Sequence, residues 1–258
     1  MSNNGNPERQ ALFSYVLRHA DDRLILGHRL SEWCGHGPIL EEDIATTNIA
    51  LDILGQAVAL LEYASELDPN NRSADELAYT RNDLQFTNLL LCEQPNGDFA
   101  GTILRQFFFD AYSYYLFDEL KNSADEKLAA IAARSHKEVI YHLRHSSKWV
   151  LRLGDGTEES HGRIASALDE LLRFTGQMFE MDKTDEILLN KGIAVNLNHL
   201  KGKWRETVDR ILNEATLGVP DYGIHMPSGS RMGRHSEYLG YILSQMQFLN
   251  RAYPGAEW

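Results

Sequence analysis

Three residues of the chain have side chains of types that can bind metal ions, and helical spacing places each of them on a face that points to the protein core. Asp110 and His142 each stand within a run of apolar residues spaced three and four apart, and Glu32 keeps that spacing at the end of the first long helix. Carboxylates and imidazoles are ligands of iron and manganese. Ferritin-like di-iron proteins use one Glu from each of two helices and a Glu-x-x-His pair from each of the other two. The chemistry to test is therefore binding of a metal pair.

The ligand set for such a pair is incomplete. Val139 stands three residues before His142, where a ligand glutamate is needed, and Ile53 and Gln56 occupy the corresponding pair in the second helix. We therefore expect no metal site and no catalytic residue in this chain, and interpret Glu32, Asp110 and His142 as remnant polar core positions. The alternative is a divergent di-iron site, whose ligands would be Glu32, Asp52, Asp110, Glu138 and His142.

Each of these residues also has an ordinary structural explanation. An inward histidine is more often a hydrogen-bonded core residue than a ligand. Asp110 is equally suited to accept hydrogen bonds between helices, Glu32 to face solvent, and Glu138 to form a local pair with His142. If Glu32, Asp110 and His142 do converge without metal, a protonated His142 would offset one of the two carboxylates.

The elements that must position these residues are all helices. Apolar residues recur at helical spacing, and no sustained alternation indicates a strand. Ser73 to Glu76 and Ser123 to Glu126 each match a capping box. We predict a loop over 218–233 and helices over about 7–33, 40–67, 74–92 (several short ones), 99–121, 124–153, 158–181, 197–217 and 236–252. This order predicts one all-α domain, 1–258, with a ferritin-like four-helix core (hairpins 7–67 and 99–153) and accessory helices over 158–252.

Composition narrows the class of protein. The 258 residues carry 25 basic and 37 acidic side chains, a formal charge of −12, which disfavours nucleic-acid binding. Cys34 and Cys92 form no CxxC pair, so neither a disulfide framework nor a four-thiolate zinc site is expected. We expect no membrane span, because no apolar run approaches the required length, and no secretory leader at the polar start. A cytoplasmic protein is the expectation.

Several long motifs, in order along nearly the whole chain, resemble one bacterial family. The chain is similar to the smaller, structural (C-type) subunits of ring-1,2-phenylacetyl-CoA epoxidases. The resemblance rests on residues 30–38 (LSEWCGHGP), 48–57 (NIALDILGQA), 85–91 (QFTNLLL), 93–97 (EQPNG), 141–144 (YHLR), 213–217 (NEATL), 237–240 (EYLG), 246–249 (MQFL) and the final PGAEW.

The resemblance implies a ferritin-like subunit without an active site, which pairs with a homologous catalytic subunit that carries the di-iron centre. The complex, with further small subunits and a reductase, would use O₂ and NADPH to epoxidise the ring of phenylacetyl-CoA in aerobic phenylacetate degradation. The catalytic relative has Glu-x-x-His where this chain has Ile53-x-x-Gln56 and Val139-x-x-His142. Two alternatives stay open: a divergent oxygenase subunit that is itself catalytic, and a free-standing scaffold.

Overall fold

The computed structural model describes residues 7–256, and all regular structure in that range is helical. The all-α, ferritin-like class is confirmed. The start and the last two residues, including Trp258, lie outside the described range, so the expectation about a leader segment does too. In chain order the α-helices are α1 Pro7–Ser31, α2 Leu40–Leu67, α3 Ala74–Tyr79, α4 Leu90–Glu93, α5 Phe99–Leu120, α6 Glu126–Gly154, α7 Glu158–Leu171, α8 Lys183–Leu189, α9 Leu197–Glu214, α10 Glu237–Met246 and α11 Phe248–Ala252.

The chain divides into two compact units. The first comprises Met1–Pro95, Lys183–Leu188 and Gly229–Trp258, and the second comprises Asn96–Asp182 and Leu189–Ser228. Each unit contains one of the two predicted long hairpins, α1–α2 in the first and α5–α6 in the second. The single ferritin-like domain stays a prediction.

The first unit is built around α1, in which nearly every residue from Ala11 to Leu30 is buried. The turn that joins α1 to α2 is fixed by Asp43, whose carboxylate accepts hydrogen bonds from the amides of Gly35 (2.9 Å) and Gly37 (3.3 Å). Gly35 has a φ of 81°, and a Cβ on Gly37 would lie 2.6 Å from the Asp43 backbone. Glycine is therefore favoured at 35 by the left-handed backbone and required at 37 by the close approach of the chain.

Helix α2 packs one face against α1 and leaves the opposite face exposed. By length and composition alone it would suit a membrane span, with 44% of its most apolar window buried, so the expectation of no such segment is wrong for α2 by this measure. This is weak evidence for a membrane, since the core helix of a soluble protein passes the same test.

The second unit is built around α5, which is buried on nearly all sides, with α6, α7 and α9 against it. Helix α6 is strongly amphipathic. Its buried stripe, on which His142 lies, consists of Leu128, Ala132, Ser135, Val139, His142, Ser146, Val150 and Gly154.

Only one of the two predicted capping boxes forms. Ser73 and Glu76 bond reciprocally at the start of α3. At α6 the N-cap is Asp125, whose side chain accepts from the Leu128 amide (2.8 Å). Ser123 lies two residues before this N-cap: its hydroxyl donates to the Ile193 carbonyl (2.8 Å), 70 residues further along the chain, and its oxygen accepts from the Asp125 amide (3.2 Å).

The largest differences from the predicted helices lie after α6. Helix α7 ends at Leu171 rather than near Met181, and two 3₁₀ turns follow it, the second beginning at Gly176. Glycine is a poor helix former, and here it lets the backbone approach Met226, whose Sδ would lie 2.4 Å from a Cβ. The short α8 was not predicted, and the C-terminal helix divides at Gln247 into α10 and α11.

Candidate functional site

Asp110 is the centre of a polar cluster in the second unit. It lies in the middle of α5 with 1% of its surface exposed. Its Oδ1 accepts a hydrogen bond from Gln106 Nε2 (2.6 Å), one turn earlier on the same helix, and its Oδ2 accepts from Ser146 Oγ of α6 (2.8 Å). Both donors are neutral groups, and the bond from Ser146 joins α6 to α5.

Burial governs the charge of Asp110. Desolvation raises the pKa of this carboxyl from 3.8 to about 7, while the hydrogen bonds from Ser146 and Gln106 act in the opposite direction without offsetting it. A carboxyl with this pKa is largely protonated below neutral pH. Metal ligands must be deprotonated, so the same environment disfavours coordination of a divalent cation.

His142 lies one turn before Ser146 on the buried stripe of α6 and has 1% of its surface exposed. The helix therefore places it as predicted. Val139, three residues earlier, is buried on the same stripe, with only an isopropyl group where a Glu-x-x-His pair needs a carboxylate. Helix α6 thus lacks the carboxylate that a Glu-x-x-His pair would supply.

The corresponding pair in α2 is also buried and is also unsuited to metal. Ile53 is apolar, and the Gln56 Oε1 accepts a hydrogen bond from Nε of Arg23 in α1 (3.2 Å). Arg23 is fully buried, and its Nη1 donates to the His19 carbonyl (3.0 Å). A fixed guanidinium next to Gln56 repels a divalent cation. The burial of Arg23 was not predicted, because the residue directly follows Asp21 and Asp22 in the sequence.

Glu32 is not a core residue, which corrects the prediction. Helix α1 ends at Ser31, so Glu32 falls in the turn that follows, and its carboxylate pairs with Arg29 at 2.9 Å with 39% of the side chain exposed. The structural alternative, a glutamate facing solvent at the helix end, is confirmed.

The two residues that the alternative ligand set adds, Asp52 and Glu138, are not buried in a cluster either. Asp52 and Glu138 are intermediate in burial, and Glu138 lies 3.9 Å from Arg134 on the same helix. Within residues 7–256, no three His, Cys, Asp or Glu side chains are grouped closely enough to hold a metal ion. The residues present therefore do not fit a di-iron centre.

A buried ionic network in the first unit was missed by the sequence analysis. Asp22 of α1 accepts from both terminal nitrogens of Arg231 (2.8 and 2.9 Å), and Asp21 pairs with Arg81 and accepts from the Thr87 amide. Burial, the largest single effect, raises the pKa of Asp22, but the charges of and hydrogen bonds from Arg231 and His19 together lower it to about 2. The signal was two adjacent aspartates within an apolar helix, and their role is to fix later segments onto α1.

A second ion pair anchors the start of α10. The Glu93 carboxylate accepts from His235 Nδ1 (2.8 Å) and from the Ser236 amide (2.6 Å), and His235 Nε2 donates to the Phe86 carbonyl (2.9 Å). Burial, the largest single effect, lowers the pKa of His235, but the hydrogen bond to Glu93, the charge of Glu93 and the bond to the Phe86 carbonyl together raise it above 6.5. These contacts hold a segment in place rather than forming a reaction site.

Comparison with known proteins agrees with the resemblance in the sequence. Residues 1–258 match the family described as phenylacetic acid catabolic protein. The chain is also 48% identical over 247 residues to the C-type subunit of 1,2-phenylacetyl-CoA epoxidase of Escherichia coli K12, an alignment that covers 96% of this chain and 99% of that protein. The chain therefore belongs to the phenylacetic acid catabolic protein family.

Proposed function

We propose that this chain is a non-catalytic subunit of a multicomponent monooxygenase that epoxidises the aromatic ring of phenylacetyl-CoA in phenylacetate degradation. The relationship to a C-type epoxidase subunit supports the reaction, and the hydrogen bond between Arg23 and Gln56 carries the assignment of a non-catalytic role. A buried cation at a ligand position supports loss of the metal site rather than rearrangement of its ligands.

In this proposal the chemistry takes place in a homologous partner subunit. That subunit supplies the di-iron centre, O₂ is the oxidant, and a reductase delivers electrons from NADPH, all in the cytoplasm. This chain stabilises the catalytic subunit and positions it among the further subunits. Asp110 and Ser146 then serve to fix α5 against α6, and Arg23 and Gln56 to fix α1 against α2.

Co-purification with the catalytic subunit tests the proposal. A subunit without its own site contributes only through contact, so we expect an obligate interface of order 2,000 Å² or more. The two chains, co-expressed with a tag on one, should co-elute at moderate salt, and the epoxidase should lose activity when this chain is omitted. Separate elution at micromolar concentration, or full activity without this chain, contradicts the proposal and favours a free-standing scaffold.

A further inference from the structure

Helix α2 presents a stripe of large apolar residues to solvent. Leu40 is 70% exposed, Ile44 52%, Leu51 62% and Val58 53%. At 100° per residue these four fall within an arc of about 40°, and the stripe runs for about 27 Å along the helix. Ile44, Leu51 and Val58 are spaced by seven residues, the repeat with which two packed helices keep contact. Contiguous exposed apolar surface of this kind marks an interaction site.

The fold of this chain does not account for the stripe. The buried face of α2, which includes Ile53 and Leu60, is the face that packs within the first unit. Gly55 lies on the exposed side, and a Cβ there would meet no atom within 4 Å. Glycine within a helix costs about 1 kcal/mol relative to alanine. Within residues 7–256 no packing offsets that cost, whereas a closely packed partner helix would use the missing side chain.

The charges beside the stripe specify the partner. Helix α2 carries six acidic residues and neither lysine nor arginine. Glu41, Glu62 and Glu66 are exposed on the same side of the helix as the stripe. A partner helix is most complementary to this surface if lysine or arginine residues border its own apolar positions, because they would face these glutamates.

We propose that the exposed face of α2 is a docking surface for a helix of the catalytic partner subunit, with apolar residues at three- and four-residue spacing bordered by basic side chains. This inference rests on the proposed function, because it assumes a partner subunit. A second copy of this chain is the less favoured occupant. Helix α6 does present Lys137, Arg144 and Lys148 around Ile140, but each copy carries a net charge of −12, which opposes self-association.

The test compares variants of the stripe with a matched control in the full-length chain. Leu51→Lys with Val58→Lys places two cations where the partner is basic, and Met232→Lys makes the same change at a site that is 74% exposed outside the stripe. Circular dichroism and urea unfolding check that each variant folds. Affinity for the purified catalytic subunit should fall about a hundredfold in the double variant, as when central contacts are lost, and stay unchanged in the control.

Glycine variants separate partner contact from helix stability. Gly55→Gln and Gly202→Gln both fill open space in exposed helical positions, so both should leave the isolated chain at least as stable as the wild type. Only Gly55→Gln should weaken binding of the catalytic subunit, by tenfold or more on the scale of a single central contact. Equal binding by both variants contradicts close packing at Gly55.

The outcomes separate this inference from the proposed function. If wild-type chain binds the catalytic subunit and the Leu51/Val58 variant binds equally well, the docking surface is wrong and the proposed function stands. If wild-type chain does not bind, the proposed function itself fails. Self-association of the wild type that the double variant abolishes would assign the stripe to a second copy. Flotation of the wild type with phosphatidylcholine vesicles, lost in the double variant, would assign it to a membrane. Either result overturns the inference.

Discussion

The buried carboxyl of Asp110 makes the stability of the protein depend on pH in an unusual direction. Its pKa is raised to about 7 in the folded chain, against about 3.9 when unfolded. Between these values the folded state holds a proton that the unfolded state has released, so rising pH favours unfolding. Each unit of rising pH lowers the free energy of unfolding by about 1.4 kcal/mol, and the full window from about pH 4 to pH 7 lowers it by about 4 kcal/mol. Below pH 4 and above pH 7 the contribution is constant.

The variant Asp110→Asn removes this titration and keeps the shape of the side chain. The new amide can be accommodated because, in the described part of the chain, Gln106 Oε1 is buried without a hydrogen-bond partner. After the Gln106 amide rotates, this oxygen can accept from the NH₂ group introduced at position 110. We expect Asp110→Asn to gain stability relative to wild type by about 3 kcal/mol between pH 5 and pH 7, with no further change above about pH 7.5.

Urea unfolding of both proteins at pH 5 to 8.5 measures this difference. Asp118→Asn on the same helix is the control, since the hydrogen bond from Lys121 lowers the pKa of Asp118 and it does not titrate above pH 5. Its difference from wild type should be constant across the range. If the difference between Asp110→Asn and wild type also changes by less than about 0.5 kcal/mol, the argument that Asp110 is desolvated is refuted.

Three further variants test other parts of the fold. Because the pKa of His235 is raised in the folded chain, its ion pair stabilises the fold fully below about pH 6.5, and this stabilisation is lost as the pH rises through the folded pKa. His235→Gln should therefore lower the free energy of unfolding, measured with urea, more at pH 6 than at pH 9. Gly154→Ala should lower the free energy of unfolding by about 1–3 kcal/mol, because the new Cβ would lie 2.2 Å from the Ala215 carbonyl oxygen. Its control, Gly162→Ala, fills open space and should be neutral or stabilising. Ser73→Ala should cost about 1 kcal/mol by removing the cap of α3, as thermal unfolding would measure.

Features set by nearby residues were predictable from the sequence. The bounds of α2 agree with its apolar pattern. Spacing also identified the buried face of α6 around His142, because that helix has one solvent-exposed face and one buried face. Asp110 and His142 are buried as their positions on these stripes required. The failed ligand pattern at Ile53, Gln56 and Val139 could likewise be seen without a structure.

Features set by distant segments could not be predicted. The Ser123 hydroxyl donates to a carbonyl 70 residues away, and Arg231 reaches Asp22 across 209 residues. Helix α1 is covered on several sides by later elements, so its charged residues, including Arg23, are inside although a one-sided pattern would place them outside. The prediction that Glu32 is a core residue was wrong for a local reason, because α1 ends one residue before it.

Metal analysis tests the central claim, that this chain contributes to an epoxidase without a metal site of its own. The chain should be produced in cells replete with iron and manganese, purified without chelator, and measured by plasma mass spectrometry beside its Asp110→Ala and His142→Ala variants. We expect well below one metal ion per chain, with no change in the variants. One to two ions per wild-type chain, lost in both variants, would contradict the account and establish the divergent di-iron oxygenase instead.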